Sequence, residues 1–169
     1  MIIMALSLII TIDTERPPDI GARKWSDFSK AGMEAAANLW HEKYVRHHFA
    51  TYAAVKYGYQ PRKPRTQKRK RAAAKAGQAI KGGRVPLVWT GLLERQMLRR
   101  GILRVYPSRF VLRKPAGPYV TSRPRGNRPN MVTEITTVIP SEERAMADRY
   151  AYRAAALMNS FRARRRVTP

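Results

Sequence analysis

Apolar and polar positions divide the chain into stretches of different period. The first, MIIMALSLIITIDTERPP, is rich in Ile, Leu and Thr and stops at Pro17 and Pro18. An apolar, β-branched run closed by prolines predicts a buried β-strand. It is too short to span a bilayer. It also lacks a signal peptide's basic start, and Asp13 and Glu15 stand where a small-residue cleavage site would be. From 22 to 49 the period lengthens. Trp25, Phe28, Ala35, Leu39, Trp40, Tyr44 and His48 recur at helical spacing and predict the main core helix. Asp27 and Glu34 lie in its first half and Arg46 near its end, the order that the helix dipole favours. Gly32 weakens it.

Periodicity then fades. Residues 52–84 carry Pro61, Pro64, Gly58, Gly77, Gly82 and Gly83, and no acidic residue occurs between Glu42 and Glu94. Low apolar content and repelling like charges predict a long loop or arm, whose composition is compatible with a helix over 66–79. Residues 85–101, VPLVWTGLLERQMLRRG, are written differently. Leu87, Val88 and Trp89 form an apolar anchor and Thr90 an N-cap; Leu92, Leu93 and Met97 make an apolar stripe. Glu94 sits near the positive end, Arg99 and Arg100 near the negative one, and Gly101 supplies the C′ position.

The segments 102–107, 109–114 and 118–122 are short strand candidates separated by Pro or Gly. After the basic turn 122–130, MVTEITTVI (131–139) puts Met131, Ile135 and Ile139 on one face and Glu134 and Thr136 on the other, which predicts a half-buried strand. The last element is a helix. Ser141 caps it, Glu142 and Glu143 fill its first turn, and Met146, Tyr150, Leu157 and Phe161 form its stripe. Its end, 162–169, is a basic tail expected to fray. The expected fold is α+β: one domain over 1–169, with a small antiparallel sheet of about four strands. That sheet packs against a long N-terminal helix and a C-terminal helix, and a long basic arm departs from it.

Charge changes this picture most. Thirty-four basic residues face 11 acidic ones, for a net charge of +23. Such a field favours polyanions or an acidic protein neighbour and costs self-repulsion in the compact state. The arm concentrates it in Arg62, Lys63, Arg65, Lys68, Arg69, Lys70, Arg71, Lys75, Lys81 and Arg84. Arg123, Arg125 and Arg128 add a basic turn, and Arg162, Arg164, Arg165 and Arg166 a basic tail. Lys/Arg runs of this kind hold phosphate without reading sequence. Tyr52, Tyr57 and Tyr59 precede the arm, where they suit packing beside the core helix better than stacking on bases.

Candidate chemistry is sparse. With no cysteine, disulfides, thiolate catalysis and cysteine-based metal sites are excluded. Glu142 and Glu143 suit a helix start better than a catalytic pair. HEKYVRHH (41–48) lacks the i, i+4 histidine spacing of a zinc protease, since position 45 is Val, and its histidines read as helix-surface residues. No phosphate-binding glycine loop, nucleophile elbow or dinucleotide fingerprint is present. Enzymatic function is not expected, and no catalytic residue, metal or cofactor is implied.

The order of elements resembles the neck, or tail-completion, proteins of tailed bacteriophages, the virion-morphogenesis group. The shared features are Trp25 and Phe28 in the first helix, the tyrosine-rich YAAVKYGYQPRKP, a basic segment, and then Pro86, Leu87, Val88, Trp89, Thr90, Gly91, Leu92 and Leu93. A β-rich half follows them. The resemblance covers most of 22–139, and its specific part is the eight-residue PLVWTGLL. It implies a homo-oligomeric ring of six or twelve copies at the head–tail junction. That ring would be made in the host bacterial cytoplasm and would lie between portal- or adaptor-side connector proteins and the tail tube or terminator. It would make passing contact with genomic DNA and none with membrane. In such a particle most of the arm would lie against protein, because an attractive lumen slows DNA exit. A tail terminator of the same fold type, a ribosomal-type RNA-binding protein and a DNA-packaging or nucleoid protein are the alternatives.

Overall fold

The computed structural model describes residues 5–60, 64–75, 92–99, 101–116, 120 and 130–167. Its strands are β1 (Ala5–Thr11), β2 (Ile102–Val105) and β3 (Arg109–Pro115), in the order β1-β3-β2. Its helices are α1 (Ala22–Leu39), α2 (Ala53–Lys56), α3 (Pro64–Lys75), α4 (Leu92–Leu98), α5 (Met131–Thr136) and α6 (Pro140–Val167). The class is therefore α+β, with three strands among the described residues rather than four. Among those residues no helix is long and apolar enough to cross a membrane.

The sheet is antiparallel. Tyr106 N–H donates to the Arg109 carbonyl at 2.8 Å across the β2–β3 turn, and Ile12 N–H donates to the Ser108 carbonyl at 3.0 Å. The second bond sets the end of β1 beside the start of β3. Phe110, Leu112 and Lys114 are buried and alternate with exposed Arg109, Arg113 and Pro115, the period of a strand with one covered face. Leu6 and Leu8 do the same in β1. Ala5–Thr11 of the N-terminal apolar run is thus the strand that its composition predicts.

The strand expected over 131–139 is a helix over Met131–Thr136. Asn130 Oδ1 accepts the backbone N–H groups of Val132 at 3.1 Å and Thr133 at 3.2 Å, which makes Asn130 the N-cap of α5. Thr136 and Thr137 hydroxyls donate back to the Val132 and Thr133 carbonyls at 2.9 and 2.7 Å. Met131, Ile135 and Ile139 are spaced by four, which satisfies both an even strand period and a helical turn. Local capping decided between them, against the β-branched composition. Of the 118–122 strand candidate only Val120 is described, and it is buried.

The chain divides into two compact units. One consists of Leu8–Trp40, Leu103–Leu112 and Pro140–Pro169. Here α1 packs antiparallel on α6. Phe28 meets Phe161 edge-on at 5.9 Å, while Ser29 Oγ lies 2.9 Å from the Tyr150 hydroxyl. Gly32 does not merely weaken α1. A Cβ there would lie 2.7 Å from the Tyr150 ring and 3.0 Å from its carbonyl oxygen, so a glycine lets the helices approach. Met33, Ala36, Ala37, Met146 and Ala154 complete this core. Pro140 opens α6, where its missing N–H costs nothing, so Ser141 lies inside the first turn. Glu142 in that turn is buried and Glu143 exposed. Residues 162–167 continue the helix instead of fraying.

The other unit consists of Met1–Ser7, His41–Ile102 and Arg113–Ile139. The expected helix over 22–49 changes winding here: a π turn spans Trp40–Tyr44 and a 3₁₀ turn Val45–Phe49. Elements α2, α4 and α5 pack on that 3₁₀ turn. Ala53, Tyr57 and Tyr59 are buried, so the segment read as the start of the arm belongs to the core. In α4, Leu93 and Met97 are buried but Leu92 is exposed, which narrows the expected stripe to two residues. Gly101 does not adopt the left-handed C′ conformation; among the described residues Gly58 is the one glycine with positive φ. Gly101 is required for another reason: the Arg113 carbonyl oxygen would lie 2.1 Å from any Cβ placed there.

Candidate functional site

His48, on the 3₁₀ turn, joins Tyr57 and Tyr59 in a cluster of three aromatic rings. His48 is fully buried, its ring nearly parallel to Tyr57 at 4.0 Å between centroids, and the Tyr59 ring lies 6.2 Å from His48 and 5.8 Å from Tyr57. The Tyr59 hydroxyl meets His48 Nδ1 at 2.5 Å. Burial lowers the His48 pKa to about 4; a hydrogen bond with the Glu134 backbone opposes that shift, and the charges of Lys56 and His47 add to it. The imidazole is therefore neutral at pH 7, and Nδ1 can accept from the tyrosine. The reading of the histidines as helix-surface residues fails for His48. Tyr57 and Tyr59 are packing residues, whereas Tyr52 is exposed. The Gln60 N–H donates to Glu134 Oε1 at 3.1 Å and ties the end of this segment to α5.

A second polar cluster surrounds Lys114 on β3, whose side chain is 1% exposed. Its Nζ donates to the Arg99 carbonyl and lies 2.8 Å from His41 Nδ1. Burial lowers its pKa to about 8. Lys56 offers a third cationic arrangement: Nζ lies 2.9 Å from His47 Nδ1 and 4.9 Å from the Tyr57 ring centroid. These contacts order the unit without assembling a nucleophile and a base around an open position. Among the described residues no group of three or more His, Asp or Glu side chains could hold a metal ion.

The sequence-predicted binding residues are distributed unevenly. Arg65, Lys68, Arg69, Lys70, Arg71 and Lys75 share α3, and the side chains of Arg65, Lys68, Arg69 and Arg71 are exposed on it. Arg62, Lys63, Lys81 and Arg84 lie outside the described residues, as do Arg123, Arg125 and Arg128. So do Pro86, Leu87, Val88, Trp89, Thr90 and Gly91 of the signature; Leu92 and Leu93 open α4. Arg162, Arg164, Arg165 and Arg166 belong to α6. Arg162 is engaged: Nε and Nη2 donate to the two Asp19 carboxylate oxygens at 2.7 and 2.8 Å. The structure thus brings together the helical part of the arm and gives at least one tail arginine a structural partner.

Sequence reasoning passed over His48 and Lys114 as special residues. For Lys114 a signal existed, because alternation from Phe110 through Leu112 puts it on the covered face. For His48 the signal was its place on the helical stripe after Trp40 and Tyr44, set against a residue type that reads as surface. Neither a family model, nor a curated protein, nor a solved structure matches this chain.

Proposed function

We propose that the chain is a structural virion protein of a tailed phage, which forms a ring at the head–tail junction, joins the head connector to the tail and lets DNA pass. The PLVWTGLL signature carries this reading. Its last residue, Leu93, is buried at the start of α4 together with Met97, against the Val45–Phe49 turn. The signature thus leads into a fixed element of a small α+β body, and the cationic α3 precedes it in sequence. That is the arrangement expected where a ring-forming body carries segments that reach a neighbour. Gold labelling of the chain in particles from its source lysate tests the reading, and label at the head–tail junction is the expected result. Label at the far tail tip would assign it to another tail part. Co-sedimentation with ribosomes, and absence from particles, would replace it.

The chain-wide excess of basic residues, 34 against 11 acidic ones, favours a second reading, a ribosomal-type RNA-binding protein. It predicts tight binding to RNA with a steep salt dependence. A tail terminator would share the location.

A further inference from the structure

We propose that α3 is a docking face for duplex DNA, held by Arg65, Lys68, Arg69 and Arg71 against the phosphates on both rims of the major groove. The four cations and Ala72 are exposed, while Thr66 and Ala73 are half-buried. At about 100° per residue, Thr66 and Ala73 share one side of the helix and the four cations span roughly 160° of the other. Lys68 and Arg71 form one flank of that arc and Arg65 and Arg69 the other, with the small Ala72 between them. A helix about 10–12 Å across fits the B-form major groove, about 12 Å wide, so two cationic flanks would face its two phosphate rims. Ala72 permits close approach to the groove floor.

The composition of this face selects duplex DNA over other polyanions. Protein interfaces surround any arginine anchors with a buried core of aromatic or large apolar side chains, and PRTQKRKRAAAK has no such side chain to contribute. An acidic protein would therefore find charge here without a core, contrary to the expectation that the arm lies against protein. An interfacial membrane helix needs an apolar face as well. Single strands are held by stacking on aromatic rings, and α3 has no ring to offer. Double-stranded RNA has a deep, narrow major groove that a helix does not enter. Phosphates of B-form DNA require only what α3 has: positive charge, arginine forks and a slim profile. Gln67 is also exposed, but the assignment asks for no base readout. It stands on α3 alone and does not require the virion reading.

The test uses the full chain and a 30-base-pair duplex, at about 50 to about 200 mM salt. Wild type is compared with the quadruple variant Arg65→Gln, Lys68→Gln, Arg69→Gln, Arg71→Gln. Glutamine keeps helix propensity, and circular dichroism checks the fold. A control of equal charge carries Lys30→Gln, Arg144→Gln, Arg149→Gln and Arg153→Gln, all exposed positions on α1 and α6. Four phosphate contacts contribute about −3.6 to the slope of log affinity against log salt, so wild-type affinity should fall roughly 100-fold more than that of the quadruple variant over this range. The control should keep most of the wild-type slope. Ala72→Glu, which leaves every cation in place, should weaken binding about tenfold by setting a carboxylate between the flanks. Equal losses in the quadruple variant and the control would overturn the assignment. So would an unaffected Ala72→Glu, or displacement of the duplex by poly-glutamate, single-stranded RNA, double-stranded RNA or anionic vesicles at equal charge. A negative result here leaves the location of the chain in particles unaffected, because gold labelling does not depend on DNA binding.

Discussion

The ring of Tyr150 lies where a side chain at position 32 would have to go: a Cβ on Gly32 would sit 2.7 Å from it. The same tyrosine places its hydroxyl 2.9 Å from Ser29 Oγ, one turn earlier in α1. One residue of α6 therefore fixes the separation of the two helices through its ring and their register through its hydroxyl.

Helix propensity alone would make Gly32→Ala stabilising by about 1 kcal/mol. Overpacking costs about 1–3 kcal/mol and here involves a backbone carbonyl as well as a ring. We expect a net loss of about 1 kcal/mol in urea unfolding. Tyr150→Phe removes the bond to Ser29 and should also cost about 1 kcal/mol.

Gly101→Ala should be worse than Gly32→Ala. The obstacle is the Arg113 carbonyl oxygen at 2.1 Å, on a strand held in the sheet, and not the edge of a ring. A lower midpoint in urea for Gly101→Ala than for Gly32→Ala is the expected order.

His48 predicts how stability responds to acid. Its folded pKa is lowered from 6.5 to about 4, so between these values the unfolded chain binds the proton and the folded one does not. Stability from this group is complete above pH 6.5, falls as pH drops towards about 4, and is then gone. The shift corresponds to about 3 kcal/mol. His48→Phe keeps a ring to stack on Tyr57 but leaves the Tyr59 hydroxyl without its partner. It should be less stable than wild type at pH 7, and the gap should narrow across this window.

Lys114 acts at the alkaline end. Its folded pKa is lowered from 10.5 to about 8, so the folded state favours the neutral amine. The stabilisation is present above pH 10.5 and lost as pH falls through about 8. Wild type should gain stability between those values from this group. Lys114→Met should lack that rise in urea titrations at pH 8 and 10.

Elements with a single strong signal were legible in the sequence. β1 and β3 followed from apolar runs bounded by proline, and α6 from its stripe through Met146 and Tyr150. Where two signals compete, the sequence is ambiguous. Spacing by four from Met131 to Ile139 fits either period, and the Asn130 cap chose the helix. Burial that depends on a distant partner was not legible at all. Gly32 looked like a weak point because Tyr150 lies 118 positions away; His48 stood on the helical stripe with Tyr44, but its residue type was read as a surface histidine. In the candidate site, positive charge was plain from composition. The side of α3 that carries it became visible only once Thr66 and Ala73 were seen to be half-buried.

The proposed role in the virion is tested most directly by particle assembly without this chain. If it joins the head connector to the tail, heads filled with DNA and finished tails should accumulate unjoined, and adding the purified protein should restore joined particles. Joined, infectious particles formed in its absence would contradict the account.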